Sequence, residues 1–441
     1  MSHKISRRTA LLAPLGLLPG CSLLDGVFFS NKPPLPGTRI AIMAVGKGLE
    51  LAKPPRRVVL PGPAVNAEWA QSGGVATHDM GHPALRDVLA PAWRADIGAG
   101  GGYRKKITAQ PLVSGGRVFV MDSDAQVSGF DAAGGGRLWQ TDTQGENDRS
   151  TNVGGGIGAE GGMVYAATGR AELLALEAAT GKIVWRVGLG SGARSSPTIG
   201  DGKIFVLTID GQLLALDAKD GRRIWMHQAP PSDAAVLGLP APAFVDGIVV
   251  AGFSSGELLA LRSNAGAVAW GDSIASPRGR NSLADLSSIR GRPVIKDGQV
   301  YAVGLGGLMV ALDLRTGRRL WEREVTSLES PWVAGDWIFV LTTDSQLVAL
   351  ARADGGVAWV TQLDRFGNME KQRDPMRWVG PVLAGDRLVV GSSNGRALAV
   401  SPYTGDILGE QKLPGATAVA PSVAGSTLYV LTDDATLTAL R

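Results

Sequence analysis

Cysteine is almost absent. The 441-residue chain has one, Cys21, so an intramolecular disulfide and a cysteine-built zinc site are both excluded. Histidine is nearly as scarce: His3, His78, His82 and His227 complete the set, and three of the four precede residue 90. No His-Asp-Ser constellation is legible. An excess of charge of one sign is also missing. The formal net charge is +4, but Lys4, Arg7 and Arg8 supply three of those charges, leaving 41 basic against 40 acidic residues after residue 20. Bulk charge therefore offers a nucleic acid no footprint. The 61 glycines follow no strict Gly-X-Y period, which excludes a collagen-like chain.

The N-terminus carries an address. Lys4, Arg7 and Arg8 form a basic region, and residues 9–18 (TALLAPLGLL) form an apolar stretch too short to span a bilayer as a helix. Leu18-Pro19-Gly20-Cys21 follows. It resembles the bacterial lipobox, in which a small residue precedes a cysteine that is lipidated and becomes the mature N-terminus. Residues 1–20 then read as a lipoprotein signal peptide and Cys21 as the lipidation site. Ser6-Arg7-Arg8 also resembles a twin-arginine signal, so the export route stays open. Ser22 after the cysteine resembles the outer-membrane class of lipoproteins, and acyl chains anchor a protein stably.

Residues 21–89 read as a Pro-rich tether and lead-in segment. Prolines at 33, 34, 36, 54, 55, 61 and 63 make much of it extended. Within it His78, Asp79 and His82 lie close together (ATHDMGH). A His-x₃-His metal site needs a helix to bring both rings to one face, and Gly81 and Pro83 argue against one. A polar loop packed against the rest of the fold is the alternative.

From residue 90 one phrase returns. The stretch 196–225 (SPTIGDGKIFVLTIDGQLLALDAKDGRRIW) holds two apolar runs, turn signals at Asp210-Gly211 and Asp220-Gly221, and a closing Trp. Units start near 111, 157, 197, 242, 293, 331, 381 and 421. They close on Trp139, Trp185, Trp225, Trp270, Trp321 and Trp359, then on Leu408 where the Trp is lost. A period of about 40–50 residues means propeller-like repetition. The eighth unit lacks a closing strand, and Trp93 in PAWRAD supplies one from upstream. The expected fold is all-β: an eight-bladed β-propeller of four-stranded blades over residues 90–441, closed by an N-terminal strand. Asp210-Gly211 is expected to form a type I′ hairpin turn.

The phrase Ala215-Leu216-Asp217…Gly221…Trp225, repeated at Ala311-Leu312-Asp313…Gly317…Trp321, resembles the tryptophan-docking repeat of quinoprotein dehydrogenases. Those enzymes use a vicinal cysteine pair, a calcium ion beside a quinone and a catalytic Asp. The chain has no cysteine past Cys21, so the resemblance implies the fold and no cofactor or metal is expected. Lipobox, tether and eight docking repeats together resemble the BamB family of outer-membrane assembly lipoproteins. That resemblance implies a non-enzymatic scaffold at the periplasmic face of the outer membrane. Its implied partners are the POTRA domains of the barrel-assembly subunit, other assembly lipoproteins, and unfolded outer-membrane protein clients reached by β-augmentation.

In that family two neighbouring inter-blade loops build the docking surface. By position these are residues 234–239 and 282–290 here. The resemblance implies partner contacts at Val236, Leu237, Gly238, Asp285, Leu286, Ser287, Ser288, Ile289 and Arg290. The match is partial: the first loop lacks the family's Arg, and Ser288 and Arg290 stand where the family has acids. Connector loops with no docking role, a periplasmic quinoprotein oxidoreductase dependent on pyrroloquinoline quinone, and a generic propeller that binds a ligand in its channel remain open alternatives.

Overall fold

The computed structural model describes residues 49–102, 105–145, 154–232, 238–274 and 288–441. Leu49–Arg441 forms a compact unit of its own. Among the described residues every regular element is a strand, and eight antiparallel four-stranded sheets account for nearly all of them. Blade 1 runs from Leu112–Ser114 to Arg137–Thr141 and blade 2 from Gly155–Glu160 to Ile183–Gly188. Blade 3 spans Thr198–Gly200 to Arg223–Gln228, blade 4 Ala243–Val245 to Val268–Ser273, and blade 5 Val294–Lys296 to Arg319–Glu324. Blade 6 spans Trp332–Ala334 to Val357–Gln362, and blade 7 Trp378–Leu383 to Ile407–Lys412. Blade 8 contributes Ser422–Ala424, Thr427–Leu431 and Thr436–Leu440, and its fourth strand is Pro91–Asp96. Trp93 pairs with Ala439 there, as the expected ring closure requires. The innermost strand of blade 8 meets that of blade 1, where Ser422 Oγ donates to the Pro111 carbonyl at 2.6 Å.

The second and third strands of each blade are covered on both faces by the neighbouring blades. They read as continuous buried runs such as Ile204–Leu207 and Leu213–Leu216, which is why their sequences do not alternate. Type I′ turns occur one hairpin earlier than expected. Asp201-Gly202, with φ of 52° and 69°, and Asp246-Gly247, with 47° and 75°, have both central residues left-handed, as that turn demands. At Asp210-Gly211 only Gly211 is left-handed. The Thr208 N–H bonds the Gln212 carbonyl at 2.9 Å and the Gly211 N–H bonds Thr208 at 3.0 Å. This longer loop ends in a left-handed Gly rather than forming a I′ pair.

The blades are joined by tryptophan. Each closing Trp sits opposite an Ala or Gly of the third strand and packs on the second-strand residue behind it. Phe119, Gly129 and Trp139 form one such row, and Phe205, Ala215 and Trp225 another. The ring pairs Phe119–Trp139 and Phe205–Trp225 lie at 5.9 and 6.1 Å, within aromatic contact range. At every closing Trp except Trp185 the indole N–H then reaches into the next blade. Trp225 donates to Ser263 at 2.8 Å, Trp270 to Leu314 at 2.7 Å and Trp359 to Pro402 at 2.9 Å. Trp93 does the same across the closure, to Ala132 at 3.1 Å. Each indole lies over a left-handed Gly in the receiving turn; a Cβ on Gly266 would stand 2.7 Å from Trp225. The sequence alignment put the missing Trp of blade 7 at Leu408. The register corrects this: Ala399 faces Gly409, with Leu408 in the bulge, so Gly409 holds the Trp position.

Residues 49–89 are packed on the propeller. Read from sequence as part of a tether, they instead form a belt that follows the ring. Asn66 bonds Val423 and Gly425 of blade 8. Trp69 pairs with Val113 of blade 1, Ala70 accepts from Ala159 of blade 2, and the Gln71 amide makes two bonds to Ile199 of blade 3. Ala76 and Thr77 accept from Phe244 of blade 4 and Ile295 of blade 5. Gly81 accepts from the Trp332 indole of blade 6 and Pro83 from Gly385 of blade 7. One segment thus bonds all eight blades in ring order, and fully buried Trp69 stacks on Trp332 at 6.2 Å.

The docking geometry is testable with two alanines. Gly202 has φ +69° and open space around it, whereas Gly266 has φ +67° and the Trp225 indole above it. Gly202→Ala is expected to cost about 1–2 kcal/mol for the left-handed backbone alone. Gly266→Ala adds displacement of the indole and loss of its hydrogen bond, at least ~1 kcal/mol more. Urea or thermal unfolding compares the two; equal losses would mean that docking contributes nothing.

Candidate partner-docking surface at the channel mouth

The belt occupies one end of the ring. At the other end lie the described parts of the loops that connect successive blades, and with them four of the expected docking residues. Cys21, Val236, Leu237, Asp285, Leu286 and Ser287 fall outside the described residues. Gly238, Ser288, Ile289 and Arg290 are described, and they divide sharply.

Ser288 and Ile289 are buried, at 2% and 0% exposure. The Ile289 N–H donates to Phe253 at 3.1 Å and its side chain fills the space over Gly252, where a Cβ would stand 2.5 Å from it. Leu305 donates to the Ser288 carbonyl at 3.0 Å. The end of the second loop is therefore pinned between blades 4 and 5. Ile289 was expected at a partner contact; its burial makes it a core residue instead. Gly238 and Arg290 do come together. A Cβ on Gly238, which has φ +91°, would lie 3.2 Å from Arg290 Nε. The described ends of the two loops thus meet at one place on the mouth.

Arg290, standing where the family has an acid, finds its own acid within the chain. It pairs with Glu329 at 3.0 Å and donates to the Leu328 carbonyl at 3.2 Å. Glu329 lies in the loop before blade 6, and its other carboxylate oxygen accepts from the Gly380 N–H at 3.3 Å. Nothing local in the sequence announces a pair 39 residues apart. The partner of an inter-blade loop is set by ring geometry.

Beneath this pair the belt and the blades share a buried polar centre. Arg292 donates through Nη1 to Ser72 Oγ of the belt at 2.9 Å. Burial pulls its guanidinium down to about 10; Glu329 acts against that shift and Arg290 adds to it. His78 is buried, and its Nδ1 lies 2.7 Å from the Pro293 carbonyl. A carbonyl only accepts, so Nδ1 carries the proton. Burial first, and then the Arg292 charge, lower His78 to about 3. His82 places Nδ1 2.7 Å from Pro61 O and Nε2 2.6 Å from Gly385 O, while Asp79 pairs with Lys296 at 2.6 Å. The ATHDMGH residues are therefore spent on different parts of the structure. Among the described residues no group of three His, Cys, Asp or Glu is arranged to hold a metal.

Above Arg292 a cavity of about 440 Å³ opens at the mouth, with Ser72 in its lining. Gly238, Leu239 and Arg290 form part of its wall, so the loop ends border the cavity.

The family described as outer membrane protein assembly factor BamB matches residues 90–152, 127–361 and 365–441. A Yersinia pestis protein of that name is 29% identical over 357 residues, covering 79% of this chain and 88% of the relative. Its Salmonella typhimurium counterpart is 29% identical over 367 residues, covering 81% and 91%. The crystal structure of BamB from Moraxella catarrhalis superimposes with a TM-score of 0.69 at 23% identity, covering 80% of this chain and all of that one. A quinohemoprotein alcohol dehydrogenase from Comamonas testosteroni gives 0.65 at 16% identity, covering 86% and 81%. At these identities both structures speak for the fold alone. The belt lies upstream of the family match.

The state of His78 yields a pH prediction. The folded chain keeps this ring neutral down to about pH 3, while the unfolded chain protonates it near its ordinary value of about 6.5. Between those values the unfolded state binds the extra proton, so stability falls as pH falls, by up to ~1.4 kcal/mol per pH unit. Asn tolerates the left-handed backbone of His78 and can donate to Pro293, but does not titrate. Melting curves of His78→Asn are expected to lose less stability than the parent from about pH 6.5 to about 4.5. Parallel profiles would contradict the assignment.

Proposed function

The chain belongs to the family of outer membrane protein assembly factor BamB, and from that premise we propose that it is a non-enzymatic scaffold lipoprotein of the β-barrel assembly complex. In this reading Cys21 carries the lipid, and the propeller stands at the periplasmic face of the outer membrane. Its mouth docks on the POTRA domains of the barrel subunit, in company with other assembly lipoproteins. The observation that carries the proposal is the family match running along the ring from residue 90 to the last strand. The meeting of Gly238 with Arg290 supports a docking surface shared by the two neighbouring loops.

The local chemistry narrows which residues do the docking. Ile289 and Ser288 hold the loop to the blades, and Arg290 enters with its charge already paired. Contact then falls chiefly to Val236, Leu237, Asp285, Leu286 and Ser287. That mixture of apolar and polar residue types suits a protein partner. Unfolded barrel clients would use a different feature, the outer strands. Ile407–Lys412 of blade 7 is exposed along its whole length and offers a free edge for strand addition. The dehydrogenase neighbours, at 14–16% identity, share the architecture that any propeller function could use.

A pull-down of the full-length lipidated protein from solubilised outer membrane tests the docking role. Leu237→Asp combined with Leu286→Asp is expected to reduce recovery of the barrel subunit about tenfold or more with an unchanged melting curve. Undiminished recovery would overturn the loop assignment. Failure of the unmodified protein to retain the barrel subunit would overturn the scaffold reading.

A further inference from the structure

The cavity at the channel mouth has a charge balance that the docking role does not call for. Five cations line it: Lys106, Arg194, Arg290, Arg292 and Arg377. Against them stand two acids, Glu329 and Asp433. Both acids are committed. Glu329 pairs with Arg290 at 3.0 Å and Asp433 lies 3.8 Å from Arg377. Three positive charges remain over. Among the described residues Lys106, Arg194 and Arg292 have no carboxylate in contact.

Arg292 is the informative one. It lines the cavity, where burial lowers its guanidinium, the Glu329 charge opposes that shift and the Arg290 charge adds to it. Its bonding partner, Ser72, is neutral. Its Nε is sealed from solvent without an acceptor among the described residues. A desolvated cation whose nearby acid is in contact with another cation, as Glu329 is with Arg290, stays under-compensated, and it persists where something completes the balance. The rest of the wall is suited to the same task. It carries Ser196, Ser330, Thr342 and Thr343, whose hydroxyls are able to donate, between apolar side chains such as Leu239 and Met376. Guanidinium groups match the two-oxygen edge of a carboxylate or phosphate, and a concave, low-dielectric wall strengthens that attraction.

We infer that this cavity is an oxyanion-binding site. It takes a ligand bearing more than one carboxylate or phosphate group and small enough to enter about 440 Å³, held by Arg194, Lys106 and Arg292 above the Ser72 floor. The belt is part of the site, because Ser72 orients Arg292 from below. The inference does not depend on the scaffold reading: a free solute could fill the cavity, and so could acidic side chains presented by a docked partner.

Calorimetric titration of the full-length protein in detergent with citrate and with pyrophosphate, at low ionic strength, tests it. Saturable one-to-one binding of at least one of them is expected. Lys106→Gln combined with Arg194→Gln, both at accessible positions, is expected to weaken it about tenfold or more. Arg318→Gln, exposed and outside the cavity, is expected to leave it unchanged. Absence of saturable binding overturns the site, as does equal weakening by the Arg318 control or no weakening by the double variant. A second arm assigns the source of the anion. If saturating citrate releases the barrel subunit in the pull-down, the filling group belongs to the partner; if the subunit stays bound, the ligand is a free solute.

Discussion

The structure depends on one repeated contact, an indole laid over the left-handed glycine of the next blade. It couples a sheet to its neighbour by apolar contact and, at every docked indole but Trp185, by one hydrogen bond to the neighbour's own turn carbonyl. At blade 2 the Tyr165 hydroxyl donates to that carbonyl, Ala218, instead, and blade 7 alone lacks the docking indole. The exception explains itself. The receiving turn joins the third and fourth strands of a blade. In blade 8 those strands, Thr436–Leu440 and Pro91–Asp96, come from distant parts of the sequence, and no turn joins them. An indole on blade 7 would have neither a glycine to lie on nor a turn carbonyl to bond. Gly409 stands at that one position. The closure is instead held by mutual backbone bonds between Ala90 and Arg441, at 2.9 and 3.0 Å, and by Trp93 docking forward onto blade 1.

A ring of equal blades has two ends, and the belt makes them unequal. By bonding each blade in turn, residues 66–83 consume hydrogen-bonding groups at the first strands and turns of one end. Trp69 and His78 are buried in the process. That end is internal structure. The described loop ends at 238–239 and 288–290 and the charged cavity lie at the other end, so the proposed partner or ligand would meet them together. The belt also reaches through: Ser72 touches Arg292 from below, making the cavity's charge a property of both segments.

How much of this could be read beforehand follows from the range of each interaction. Strands, turns and the closing Trp are local or one blade apart, so their spacing was legible and the ring with it. The lost Trp was placed one residue early at Leu408, although the repeat's own spacing carried the answer: Gly221 to Trp225 and Gly317 to Trp321 are four residues apart, as are Gly405 and Gly409, and the bulge that every fourth strand shares keeps that phase. The belt was hidden by composition. Pro54, Pro55, Pro61 and Pro63 read as a free tether, yet extended chain without regular structure is what a segment needs to follow eight blades. Ile289 misled for another reason. A motif says which residue types recur in a loop, but burial is decided by Gly252 and Phe253 on the neighbouring blade.

The Arg290–Glu329 pair constrains how docking can work. Where the family carries acids, this chain carries a cation whose charge is already balanced at 3.0 Å. Both groups are partly withdrawn from water, with 31% and 16% of their side chains exposed. A partner acid that took Arg290 would have to displace Glu329, exchanging one carboxylate for another and leaving Glu329 without its ion pair. Such an exchange gains little Coulomb energy and adds a desolvation cost. In the proposed docking Arg290 would therefore select against mismatched partners more than it would add affinity. Under the proposed docking, affinity would have to come from the apolar residues of the two loops, and any attraction at long range from the cations left over in the cavity.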